Sequence, residues 1–148
     1  MKQNSKLKTP VLLIVYNRPD TTKKVIDALR KVLPENIYIF CDGPKLNNSE
    51  SKERVEAVHQ VCLRGIDWSC NLETNFQNRN LGCKNGVKQA IDWFFSNVEA
   101  GIILEDDIVP IESFFTFCEE MLEFYKDDNR IAQICGLSRG NDKYQNAS

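Results

Sequence analysis

Short apolar stretches alternate along this chain with segments whose apolar residues recur every three to four positions. That alternation predicts an α/β domain, a mostly parallel sheet with helices on both faces. Two further observations support it. The stretch Val11-Leu12-Leu13-Ile14-Val15-Tyr16 is apolar on both faces, as a central parallel strand covered on both sides must be. The apolar stretches also close abruptly on polar or turn-forming residues: Asn17-Arg18-Pro19, Asp42-Gly43-Pro44 and Glu105-Asp106-Asp107.

The elements follow in order. The first strand runs from Val11 to Tyr16, and Asp20 is the expected N-cap of the helix behind it. Val25, Ala28, Leu29, Val32 and Leu33 repeat at i, i+3, i+4, i+7 and i+8, an amphipathic helix that Pro34 stops. Ile37 to Cys41 is the second strand. A polar loop over Lys45 to Glu50 follows, with Asn47, Asn48 and Ser49 available as caps. The second helix runs to about Arg64, buries Val55, Val58, Val61 and Cys62, and ends at Gly65. Leu72 to Phe76 reads as a third strand and Gln77 to Gly82 as a loop. A third helix starts near Lys84 and presents Val87, Ala90, Ile91, Phe94 and Val98. Gly101 to Leu104 is the fourth strand. The fourth helix buries Phe114, Cys118, Met121, Leu122 and Tyr125, and Ile131 to Cys135 is a fifth strand. Met1 to Lys8 is expected to be a flexible lead-in and the stretch from Ser138 a polar tail, leaving one domain over residues 9–148.

Composition narrows the function. The 148 residues are 42% hydrophobic and 27% charged, with a formal net charge of −2, the profile of a folded globular domain. A dedicated nucleic-acid binder would carry a basic excess, so none is expected as a partner. The longest apolar run is the stretch from Val11 to Tyr16. A membrane span needs roughly 20 apolar residues and a signal-peptide core roughly 7–15, so neither is expected, and a cytoplasmic location is. Cysteines stand at 41, 62, 70, 83, 118 and 135 without CxxC spacing, and the single histidine, His59, lies apart from most of them. Neither a zinc site nor a disulfide framework is expected. At least four of the cysteines fall within apolar patterns, as small buried hydrophobes do. His59 is expected to be exposed on its helix, and Trp68 and Trp93 to be packing residues.

In open α/β sheets, ligands bind outside the carboxyl ends of the strands. After the first strand come Asn17 and Arg18, after the second Asp42, and after the fourth Glu105, Asp106 and Asp107. Asn80-Leu81-Gly82 leads into the third helix on the same edge. Three adjacent acids repel one another unless something positive sits among them, and a hard divalent cation, magnesium or manganese, fits an all-oxygen set. Strand alternation sends Glu105 and Asp107 to one side and Asp106 to the other, so one acid can hold metal while its neighbour contacts something else. Taken alone, each segment also has a plainer reading. Asp106 and Asp107 can simply favour the positive end of a helix, Asn17-Arg18-Pro19-Asp20 is a good helix-start sequence, and Asp42-Gly43-Pro44 is a good turn. Lys84 and Lys88 read as solvent-facing, with Lys84 able to reach a phosphate.

Pro10 to Pro19, Cys41-Asp42-Gly43 and Ile102-Ile103-Leu104-Glu105-Asp106-Asp107, with Phe114-Phe115 behind, resemble nucleotide-sugar-dependent glycosyltransferases of the GT-A fold. The resembled branch contains N-acetylglucosaminyltransferase I and its bacterial relatives, and Glu105-Asp106-Asp107 matches its version of the DXD motif. The resemblance covers about Thr9 to Gly136. It implies a Rossmann-like nucleotide-diphospho-sugar transferase fold and a metal-dependent transfer of a hexosyl or N-acetylhexosaminyl group to a hydroxyl of a glycan or other acceptor. It also implies Mn2+ or Mg2+ at Asp107, Asp106 near the ribose and Glu105 near the donor sugar. Asp42 would contact the base of what is expected to be a UDP-sugar. Arg18 would lie near the nucleotide with backbone groups of Tyr16 and Asn17, and further contacts would come from the start of the third helix, near Cys83 to Asn85; Asn80, Gly82 and Lys84 are candidate nucleotide contacts from their place on the same edge.

Family catalytic domains continue past the fifth strand, where the general base and most acceptor contacts arise, so this chain is expected to be the donor-binding half, truncated after that strand. A general base is not identified. The alternative reading is a non-catalytic nucleotide-sugar-binding or assembly module, with an exposed sheet edge that favours homo-oligomers. A phosphoacceptor receiver domain would want a Lys where Cys135-Gly136 stands, and a nucleotidyltransferase a glycine-rich loop where Asn17-Arg18-Pro19 stands.

Overall fold

The structure is a computed structural model that describes residues 6–136. Met1 to Ser5 of the expected lead-in and the expected tail from Ser138 lie outside the described residues. The elements alternate as β1 (Val11–Val15), α1 (Pro19–Val32), β2 (Asn36–Cys41), α2 (Ser49–Gly65), β3 (Asn71–Phe76), α3 (Cys83–Phe95), β4 (Ile102–Glu105) and α4 (Glu112–Phe124). The strands form one sheet in the order β3-β2-β1-β4, with every pairing parallel. The α/β architecture predicted by the sequence is therefore present.

Register explains where the polar strand ends fall. Val15 lies opposite Cys41, Cys41 opposite Phe76, and Ile14 opposite Glu105. The residues that follow each strand thus leave the sheet along one edge. The chain builds outward from β1 through β2 to β3 and then returns to place β4 on the other side of β1. The order reverses between β1 and β4, and this is where open α/β sheets open a crevice at the carboxyl edge.

Two apolar layers hold the sheet. Val11, Leu13, Val15, Ile37, Ile39 and Cys41 pack with Val25, Ile26 and Leu29 of α1 and with Val55, Val58 and Cys62 of α2. The alternate residues Leu12, Tyr38 and Phe40 pack with Ala90 and Phe94 of α3 on the opposite face. The period of two along the strands thus feeds helices on both sides. Trp68 and Trp93 are packing residues, as expected: the Trp68 indole N–H donates to the Pro34 carbonyl (3.1 Å), and Trp93 meets Tyr38 edge-on.

Several details depart from the sequence reading. The fifth strand expected over Ile131–Cys135 is not formed: residues 131–136 are irregular and exposed. The Ile131 N–H closes a turn on the Asp128 carbonyl (3.0 Å), which starts the stretch on a turn instead of a ladder, and Gly136 beyond it lies against the Phe114 ring. In α4 the residue buried in the core is Phe115, one position away from the expected stripe, whose members are only partly buried. Asp20 does not cap α1. Pro19 occupies the first turn, so the helix begins earlier and Arg18 stands at the cap position without a side-chain cap bond. The lead-in is tied down from Leu7, which is buried, donates to the Val32 carbonyl and accepts from the Glu35 N–H, both at 2.9 Å. His59 is not on the solvent face of α2. It is partly buried and stacked on Phe76, and that burial lowers its pKa against the opposing pull of Glu56. Only Cys41 and Cys62 of the six cysteines are fully buried, and Cys83 and Cys135 are exposed.

Candidate functional site

The structure gathers the predicted residues into two adjoining groups on the carboxyl edge. The first is at the switch point between β1 and β4. β4 ends at Glu105 opposite Ile14, which brings Asp106 level with the end of β1. The Asp106 carboxylate turns inward and accepts the Tyr16 N–H on Oδ2 (3.3 Å). Arg18 reaches across from the start of α1, with Nη1 3.0 Å from Asp107 Oδ2 and 3.6 Å from Asp106 Oδ1. Burial follows the expected alternation: Asp106 is buried, while Glu105 and Asp107 are exposed. Burial pushes the Asp106 carboxyl above its ordinary value. Arg18 and the Tyr16 N–H pull it down, and the charges of Asp107 and Glu105 add to the rise.

The second group surrounds Asp42 at the end of β2. Its Oδ1 accepts the N–H groups of Gly43 and Leu81, both at 2.8 Å. Its Oδ2 accepts the Asn80 side-chain amide (3.0 Å) and the Gly82 N–H (3.2 Å). A carboxylate offers about four lone-pair sites, so Asp42 is saturated within the chain. Asn80 also donates to the Gly43 carbonyl (3.1 Å), and its own N–H donates to Pro44 (3.1 Å). The loop before α3 is thereby clamped to the loop after β2. Two glycines make the clamp possible. A Cβ on Gly43 would lie 2.4 Å from the Arg79 backbone nitrogen, and Gly82 has φ 77° and ψ 158°, a region essentially confined to glycine.

The two groups are contiguous. The Asp42 N–H donates to the Val15 carbonyl (3.1 Å), and the Cys41 thiol donates to the Tyr16 carbonyl (3.5 Å). Lys84 is exposed in the first turn of α3, and Asn85 bonds back to the Leu81 carbonyl (3.3 Å).

Sequence reasoning missed two supports, both on α2. Arg54 Nε donates to the Asn17 carbonyl (3.0 Å), fixing the β1–α1 turn from outside. The Ser51 hydroxyl accepts the Lys45 N–H (3.0 Å) and shares a hydrogen bond with the Tyr16 hydroxyl (3.2 Å). Their spacing, i and i+3 on one helix face next to Val55 and Val58, was the available signal.

Two residues for which the resemblance implies ligand contacts also carry structural ones: Asp106, implied near a ribose, accepts the Tyr16 N–H and pairs with Arg18, and Asp42, implied against a base, holds the clamp. Asp107, Glu105 and Arg18 are the outward-facing charges. Among the described residues no group of three or more His, Cys, Asp or Glu side chains converges as a metal cage. A hard ion held by one or two carboxylates, keeping its waters or sharing a phosphate ligand, needs no such cage, and the exposed oxygens of Asp107 fit that mode. Two surface depressions of the chain, of about 510 and 450 Å3, lie away from this edge, at Phe95–Glu99 and between Thr9-Pro10 and α4. No helix among the described residues is long and apolar enough to cross a membrane. No protein-family model matches the chain.

Proposed function

We propose that this chain binds the diphosphate of a nucleotide sugar together with a divalent cation at Asp107, as the donor site of a metal-dependent glycosyltransferase. One observation carries the reading. Asp107 and Arg18, opposite charges and each about half exposed (51% and 55%), stand together above a buried Asp106 at the switch point of a parallel sheet. An exposed acid and an exposed guanidinium side by side suit a metal-bound diphosphate, which presents positive and negative charge at once.

The chain's own residues divide the work. Asp106 holds the Tyr16 N–H and so sets the β1–α1 turn, and Arg54 holds the same turn at Asn17. Asp42, Asn80 and Gly82 set the start of α3, where Lys84 is free to meet a phosphate. Glu105 is on the sugar side of Asp107 in this arrangement. A bound Mn2+ or Mg2+ supplies Lewis-acid stabilisation of the charge that grows on the leaving diphosphate. The base contact falls to backbone groups of the clamped loop, since Asp42 is already saturated. A UDP-sugar donor, a hydroxyl acceptor and a cytoplasmic location complete the proposal.

A thermal-shift screen of nucleotide sugars, with and without Mn2+, tests it. A ligand at a hundredfold excess over its Kd adds about 2.7 kcal/mol of native-state stability. Stabilisation by UDP-sugars only when Mn2+ is present supports the reading, and no shift with any nucleotide contradicts it.

A specific observation favours the second reading, an assembly module. Ile108, Val109, Ile111 and Phe117, on α4 and the segment before it, are exposed, and Ile103 on the edge strand is 37% exposed. Exposed apolar side chains mark an association surface where they form one contiguous patch. Light scattering that reports a dimer, with no sugar transfer to an acceptor panel by product mass spectrometry, decides for it.

A further inference from the structure

We infer that Arg18 is an exchangeable counter-ion: in the free protein it occupies the Asp107 carboxylate, and with metal and nucleotide bound it is handed over to the phosphate. This inference rests on the function proposed above and concerns how that site is kept before its ligand arrives.

Three features of Arg18 carry it. First, its grip on the acids is one-handed. A single nitrogen, Nη1, serves both Asp107 at 3.0 Å and Asp106 at 3.6 Å, and the longer contact is outside hydrogen-bond range. A guanidinium committed to a carboxylate makes the two-bond fork, and this one does not. Second, the pair is half in solvent, and such pairs hold weakly. Asp106 differs: its side chain is only 12% exposed and it is anchored to the Tyr16 N–H, so it stays when Arg18 leaves. Third, the Arg18 backbone is fixed where its side chain is not. Its carbonyl accepts the Thr22 N–H (3.0 Å) and the hydroxyls of Thr22 (2.7 Å) and Thr21 (3.2 Å). A pinned main chain with a loosely held charged head is a pivot.

The charges supply the direction. Three carboxylates stand at residues 105–107, and the one guanidinium of Arg18 reaches two of them, Asp106 and Asp107. Without a ligand, Arg18 relieves the repulsion between Asp106 and Asp107. Once a divalent cation shares Asp107, the guanidinium is repelled from that carboxylate, and a diphosphate oxygen next to it is the better partner, because arginine pairs with phosphate by its fork. Arg18 therefore opposes metal binding in the absence of nucleotide and favours it in its presence, which couples the two ligands.

The test is binding, read without turnover. Mn2+ affinity of the ligand-free protein is measured from the free-ion electron paramagnetic resonance signal, and UDP affinity with and without Mn2+ by calorimetry, for wild type, Arg18→Gln and Arg18→Lys. Arg18→Gln should bind Mn2+ alone several-fold more tightly than wild type, yet bind UDP in the presence of Mn2+ about tenfold more weakly. Arg18→Lys, which keeps the charge and loses the fork, should leave Mn2+ affinity near wild type and recover only part of the UDP affinity. Far-ultraviolet circular dichroism confirms that the variants fold. If either half of the Arg18→Gln result is missing while wild type shows Mn2+-dependent UDP binding, the exchange is overturned and the proposed function stands. If wild type itself binds UDP regardless of Mn2+, or not at all, both fall.

Discussion

Replacing Asp42 by Asn leaves the shape of the β2 end intact and removes half of its hydrogen bonding. The wild-type carboxylate receives four donors, two on each oxygen: Gly43 and Leu81 N–H at 2.8 Å on Oδ1, Asn80 amide at 3.0 Å and Gly82 N–H at 3.2 Å on Oδ2. An amide has one oxygen. Whichever way it turns, its NH2 group faces two donors. A hydrogen bond to a charged group contributes about 1.5–3 kcal/mol. Asn80, Leu81 and Gly82 are partly exposed, so water recovers some of the loss. About 1 kcal/mol for each of the two lost bonds, together about 2 kcal/mol, is the expected destabilisation of Asp42→Asn. Asp42→Ala, which loses all four, should cost about 3–5 kcal/mol at about 1 kcal/mol for each bond. Urea unfolding followed by circular dichroism reads both, and the Asn variant should melt about 4–8 °C lower. Amide exchange should quicken at Leu81 and Gly82 and not at the centre of β1. An Asn variant within about 0.5 kcal/mol of wild type would refute the clamp, because that is the range of a surface substitution with no structural role.

Other outcomes follow from the same geometry. Gly82→Ala should cost about 1–3 kcal/mol in urea unfolding through backbone strain alone, since nothing lies within 4 Å of the added Cβ, whereas Gly43→Ala should also displace the Arg79 backbone 2.4 Å away and disturb the amide resonances of residues 79–82. Asp106 makes a pH prediction of definite sign. Its native value is raised, so the native state holds the proton more tightly than the unfolded chain, and wild type loses stability as pH rises from the unfolded value of about 3.9 through the higher native one. Asp106→Asn keeps an oxygen for the Tyr16 N–H and escapes that loss, so its urea midpoint relative to wild type should rise between about pH 3.5 and pH 7, and a flat or falling difference contradicts the burial argument. Thiol labelling at pH 8 should be fast at Cys83 and Cys135 and require unfolding at Cys41 and Cys62, the latter pushed up to about 12 by burial. Cys41 is likewise pushed well upward, chiefly by burial. Fast labelling of all six cysteines would refute the core assignment.

The order of strands and helices up to α4 could be read because β1 and β2 are short continuous apolar runs between turn residues and the first three helices repeat apolar residues every three to four positions. Val11 to Val15 is buried on both faces of a central strand, and the stripe of Val55, Val58 and Cys62 is the buried face of α2. The reading failed where a short apolar run had two ways to be satisfied. Ile131 to Cys135 looks like a strand, but a strand needs a ladder partner, and spacing says nothing about partners. In α4 a helix so rich in apolar residues has no single stripe, and Phe115 took the core position that Phe114 was expected to share. In the site, the gathering of residues 16–18, 42 and 105–107 on one edge was legible from where the strands stop. The inward turn of Asp106 and the saturation of Asp42 were not, because both depend on backbone N–H groups distant in sequence, at Tyr16, Leu81 and Gly82. Arg54, exposed, and Ser51, buried, escaped notice because a polar helix residue gains meaning only once the turn it holds is in place.

Isothermal titration of UDP into wild type and Asp107→Ala, each with Mn2+ and with the ion removed by chelation, is the most direct test. The account predicts binding to wild type that depends on Mn2+ and weakens by at least about tenfold in Asp107→Ala, with the variant's unfolding midpoint unchanged because that side chain is half exposed. Equal UDP affinity in the presence and absence of Mn2+, or in wild type and Asp107→Ala, would contradict it.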